Sequence, residues 1–165
     1  MNANQRSYAE ASAQAVILMR RGKWLIRAFL LGVLLTLVIY YMQQQPLNTA
    51  VLMTGSCMVL WSSVAYFTGR SVMKACQNGL AQQVPYDEMF SIMQWHLFWA
   101  VLQLLALAGC SALYALLFAT LLKESGSSQN VTWSPFISFA VTIVPLLLCI
   151  DTAQKLYQQA ATRQG

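Results

Sequence analysis

The chain has 165 residues, of which 58% are hydrophobic and only 9% charged, with a formal net charge of +5. A soluble domain carries roughly 25% charged residues, so this composition excludes an ordinary water-covered surface and names lipid as the solvent for most of the chain. The positive balance does not point to nucleic acid, because five of the ten Lys and Arg (Arg6, Arg20, Arg21, Lys23 and Arg27) flank one apolar run at the N-terminus instead of lining a soluble face.

From the N-terminus, Ser7 and Glu10 are spaced as a capping box, and Ala-rich sequence follows to Met19. Arg20 and Arg21 suit a helix C-terminus and Gly22 a C′ position. The pattern predicts a short cytoplasmic helix over 8–21 that either lies on the membrane or runs on into the first span. No small-x-small cleavage pattern follows the apolar run behind it, which reads as a retained first span and not a cleavable signal.

A spanning helix needs about 20 mostly apolar residues. Four segments qualify: 24–42, in which Arg27 near the end can snorkel, 47–67, 97–122 and 131–150. Pro135 falls in the first turn of the last span, where a missing N–H costs little; Pro145 falls inside it and is expected to kink it. The expected fold is an all-α membrane protein, a four-transmembrane-helix bundle forming one domain over 1–165.

Between spans two and three, residues 68–96 read as a cytoplasmic helical hairpin extending both spans. Arg70 to Asn78 are helix-compatible, Gly79 is a natural stop, and a new helix can start at Pro85 with Asp87 and Glu88 in its first turn. Val72, Met73, Met89, Phe90 and Met93 supply its apolar surface. Packing the two helices against each other is the simpler use of these residues; a cytoplasmic partner dock is the sharper one.

The five N-terminal cations, with Arg70 and Lys74 in the middle loop and Lys155 and Arg163 in the tail 151–165, place nine Lys or Arg on one side and leave Lys123 alone on the other. The positive-inside rule puts both termini in the cytoplasm. A bacterial inner membrane fits the small size and short loops.

Membrane helices pack through small residues. Span three offers Ala108, Ala112, Ala115 and Ala119 on one face, and span one offers Ala28 and Gly32. Gln103 is the strongly polar side chain well inside span three and the best single candidate for a helix–helix contact.

Chemistry is hard to place. No titratable group sits in the middle of a span, which argues against proton-coupled transport. His96 is the only histidine, so paired haem ligation is excluded; an interfacial position explains it. Cys57, Cys76, Cys110 and Cys149 show neither CxxC nor zinc spacing, and no cofactor or metal is expected. Asp151 and Lys155 make an i, i+4 pair at the edge of span four. No GxSxG, HExxH or Walker motif occurs, and Asn130, Val131 and Thr132 match a glycosylation sequon by chance.

The reading that follows is a non-enzymatic protein acting through contacts with other membrane proteins or with itself. It would be an accessory or assembly subunit of an envelope complex (secretion, conjugation or transport), or an immunity or exclusion protein. The alternative is a small oligomeric transporter or channel with an uncharged path drawn from Thr36, Thr54, Ser56, Ser62, Ser63 and Gln103. A weaker rival is a membrane enzyme using His96 with Asp87.

Overall fold

The computed structural model describes residues 3–42, 49–124 and 134–161, and every one of them is helical except Ser63 and the turn 82–85. Five helices result: α1 (Ala3–Met42), α2 (Thr49–Ser62), α3 (Val64–Ala81), α4 (Tyr86–Glu124) and α5 (Ser134–Ala161). Residues 43–48 and 125–133, with the sequon, and Arg163 lie outside the described residues.

Three helices, α1, α4 and α5, are long and apolar enough to cross a membrane. At 1.5 Å per residue, α1 and α4 are each about 60 Å long, twice the roughly 30 Å hydrocarbon core. Their surfaces match lipid. Leu30, Leu31, Leu34 and Val38 on α1, Leu113, Leu116 and Leu117 on α4, and Val144 and Leu147 on α5 are all exposed, a continuous apolar face that a soluble monomer does not present.

What holds the bundle together is instead a narrow inward stripe. Buried positions on α4 run Tyr86, Phe90, Met93, Leu97, Ala100, Leu104, Leu107 and Ser111. Those on α3 run Ala65, Gly69, Val72, Cys76 and Gly79. Steps alternate between four and three, the seam spacing of helices packed at a shallow angle. α1 packs mainly on α3 and α5, α4 packs on α5, and the α3–α4 seam is thinner.

α1 does not stop at Gly22. The helix is continuous from Ala3, so the predicted 8–21 segment runs on into the first span. Ser7 is not an N-cap: it lies within the helix, and its Oγ donates to the Ala3 carbonyl at 3.1 Å. Gly22 serves packing. A Cβ there would meet the Tyr66 backbone nitrogen at 2.7 Å and its Cα at 3.0 Å. On the facing helix, a Cβ at Gly69 would meet the Ala15 carbonyl oxygen at 2.9 Å and the Met19 nitrogen at 3.0 Å. Bare glycine is what lets the two backbones touch.

The second correction concerns residues 47–81. α2 and α3 are separated at Ser63, inside the expected second span. The Ser63 N–H donates to the Leu60 carbonyl at 3.1 Å, and both Ser62 and Ser63 hydroxyls bond carbonyls three residues back at 2.6 Å. Serine hydroxyls competing for helical carbonyls accompany this tightened turn. Further on, Gly79 does not end α3. The helix reaches Ala81, and Gln83 takes the left-handed conformation at φ 54°, while Gly79 makes room for the Tyr8 ring. Pro145 lies inside α5 without interrupting it.

Candidate interaction surfaces

Three places bring polar groups of different helices near one another. At the first, the N-terminal end of α1 is fastened to the turn between α3 and α4. Asn4 Oδ1 accepts the Tyr86 N–H at 2.8 Å, which satisfies an orphan donor at the start of α4. Tyr8 donates its hydroxyl to the Val84 carbonyl at 3.1 Å. Its ring meets Tyr86 edge-on at 5.1 Å and is 1% exposed. Burial pushes the neighbouring Cys76 thiol up to about 11. Asp87 and Glu88 stand in the first turn of α4 as expected.

This junction decides the fate of the hairpin's apolar residues. Val72, Phe90 and Met93 are buried, and Met73 and Met89 are half-buried against the same core. α1 packs on α3 and α5 packs on α4, and these residues belong to the core they share. The face that sequence offered as a partner dock is therefore largely consumed within the chain.

The second place is a clamp between α1 and α5. Arg21 Nη1 donates to the Leu148 carbonyl at 2.8 Å and to the Thr152 hydroxyl, and lies 3.5 Å from Asp151 Oδ2. Lys155 Nζ reaches the same oxygen at 2.9 Å. The Lys155 hydrogen bond leads in holding the Asp151 carboxyl below its ordinary value; its partial desolvation opposes this, and Arg21 adds to it. The i, i+4 pair is present as read, but the link to Arg21, 130 residues away, had no local signature.

The third place is a groove of about 370 Å³ between α3 and α4. Its walls are Phe67, Val72, Leu97 and Trp99, and its polar groups are Ser63, Thr68, Ser71, His96 and Gln103. Gln103 and His96 are exposed and make no hydrogen bond among the described residues. Gln103 thus does not bridge helices within the chain: Leu104 and Ala100 take the inward positions, and Gln103 falls beside that stripe.

The small-residue candidates face inward to different degrees. Ala115 and Ala119 are buried, and Ala108 and Ala112 are half-buried. Gly32 faces α5, where a Cβ would meet Ser138 Oγ at 2.7 Å. Ala28 lines a separate cleft between α1 and α5.

Between these helices lies a cavity of about 40 Å³ bordered by Thr36, Ser111, Tyr114, Ser138 and Thr142, room for a water or two. Thr36, Ser111 and Thr142 each donate to a carbonyl of their own helix. The polar residues offered for a pore do not converge: Thr36 borders this cavity, Thr54 and Ser56 face outward, Ser62 is buried, and Ser63 and Gln103 belong to the groove. Asp87 borders a surface depression at the N-terminal end of α4, two and a half turns from His96. Among the described residues, no three His, Cys, Asp or Glu side chains come together as a metal site.

Comparison with protein families, with characterised proteins and with solved structures finds no match.

Proposed function

We propose that this chain is a small, non-enzymatic integral membrane protein that works by binding another membrane protein, as an accessory or assembly subunit of a larger envelope complex. α1, α4 and α5 are long and apolar enough to cross, and in this reading the pair α2–α3, joined through a single turn at Ser63, makes the fourth crossing. The distribution of Lys and Arg supports cytoplasmic termini, and the small size and short loops favour a bacterial inner membrane. An immunity or exclusion protein would use the same kind of surface.

The observation that carries this reading is the α3–α4 groove. Gln103 lies about 10 Å, seven helical residues, beyond His96 along α4, exposed in a groove that Ser63, Thr68 and Ser71 also line. A polar side chain facing hydrocarbon is costly, and a hydrogen bond to a partner helix relieves that cost by about 0.6–2 kcal/mol. Aromatic walls at Phe67 and Trp99 give such a partner area to bury.

Purification from the native membrane in mild detergent, followed by mass spectrometry, tests the proposal. One larger membrane partner is expected in fixed ratio, and Gln103→Leu is expected to weaken its retention by up to about thirtyfold, the upper end of one such bond. Recovery of the protein alone as a defined oligomer, together with solute flux in liposomes, would replace this reading with the channel alternative.

A further inference from the structure

We propose that the cleft between α1 and α5, on the other side of α1 from α3, binds an anionic phospholipid, its phosphate on Arg27 and one acyl chain along α5. The proposal rests on membrane residence but not on the partner groove.

The cleft encloses about 430 Å³. Its length is apolar, formed by Leu31, Val141, Val144, Pro145 and Leu148, and the small Ala28 leaves it open. Its charged groups are both on α1, where Arg21 and Arg27 stand on either side of Trp24. From Arg21 to Leu31 is ten residues, or about 15 Å of helix. Arg27 stands about 9 Å along that length, so a phosphate there leaves about 6 Å of cleft on α1 for the first part of an acyl chain.

The two arginines differ. Arg21 is committed to Asp151, Thr152 and the Leu148 carbonyl. Arg27 is exposed, has no carboxylate partner among the described residues, and lies with its guanidinium 5.6 Å from the centre of the Trp24 ring. It is an unbalanced charge at the rim of an apolar cleft, one turn from Leu31. A phosphate diester linked to an acyl chain complements both features at once. Trp24, 61% exposed, suits the headgroup boundary.

The test is quenching of tryptophan emission in phosphatidylcholine vesicles, with either phosphatidylglycerol or phosphatidylcholine carrying brominated acyl chains. The Trp24 component is the part of the signal missing from Trp24→Phe. In the wild type it is expected to be quenched at a phosphatidylglycerol fraction about fivefold lower than for phosphatidylcholine, the effect of one basic residue at an anionic surface. Arg27→Gln should bring the two lipids to parity. Ala28→Leu, which fills the cleft and keeps the charge, should reduce quenching by both. Arg20→Gln, a cation outside the cleft, should leave the selectivity in place; circular dichroism of each variant reports that the helices persist. Parity in the wild type, or undiminished selectivity in Arg27→Gln, would overturn the proposal. Failure of the wild-type chain to resist carbonate extraction from the vesicles would overturn membrane residence itself.

Discussion

Replacing Gly22 by alanine sets two effects of known size against each other. Alanine favours an α-helix over glycine by about 1 kcal/mol. The added Cβ, however, lies 2.7 Å from the Tyr66 nitrogen, 3.0 Å from its Cα and 3.2 Å from the Ala65 carbonyl carbon. All three are backbone atoms, which cannot turn aside as a side-chain tip can. To restore ordinary separations of about 3.5–4.0 Å, α1 must retreat from α3 by roughly 1 Å, loosening the packing around Leu18, Leu25 and Ala65. Overpacking of this kind costs about 1–3 kcal/mol, so the expected net loss is about 1 kcal/mol. Gly109→Ala is the internal control. Nothing lies within 4 Å of a Cβ there, so the same chemical change should stabilise by up to about 1 kcal/mol. Reversible unfolding in mixed micelles titrated with dodecyl sulfate, followed by circular dichroism, measures both. The two variants should shift in opposite directions, some 2 kcal/mol apart. Equal shifts of the same sign would refute the close backbone contact between α1 and α3.

Other outcomes follow from the two junctions. Because the carboxyl of Asp151 titrates below its ordinary value when folded, the clamp contributes stability above the unfolded value and loses it as pH falls through the folded one. Acid unfolding of the wild type should therefore include a step in that range that Asp151→Asn lacks, read by pH-dependent circular dichroism. Cys76 is 2% exposed, with its thiol pushed up to about 11. A maleimide at pH 8 should leave it unmodified in the folded protein and label it in dodecyl sulfate. Tyr8→Ala should raise its labelling rate in the folded protein by opening the junction, whereas Tyr8→Phe, which loses only the Val84 hydrogen bond, should cost about 1 kcal/mol and leave Cys76 protected.

Local patterns in the sequence identified helices well and their ends poorly. The apolar runs over 24–42 and 97–122 lie within α1 and α4, and the acidic pair Asp87–Glu88 marks the start of α4. Glycine was misread because two physical uses leave the same letter. At Gly22 and Gly79 it resembles a stop signal, yet both are needed for close approach, one to the α3 backbone and one to the Tyr8 ring. The break between α2 and α3 at Ser63 did have a visible cue in the pair Ser62–Ser63, whose hydroxyls turn back to carbonyls of the preceding turn.

Long-range polar contacts were invisible for a different reason. Asn4 meets Tyr86 across 82 residues and Arg21 meets Asp151 across 130, and a single sequence carries no trace of such pairings. Gln103 was singled out as polar within an apolar span, but helical phase decides whether such a residue faces a sister helix or the surroundings. Here one position separates it from the inward Leu104.

The most direct test of a partner-binding role is photo-crosslinking in the native membrane from a probe residue placed at position 103. A matched probe at position 147, where Leu147 is 56% exposed on α5, serves as the comparison. A single membrane protein captured from 103 and absent from 147 is the predicted result. Capture of only this chain, or the same diffuse products from both positions, would contradict it.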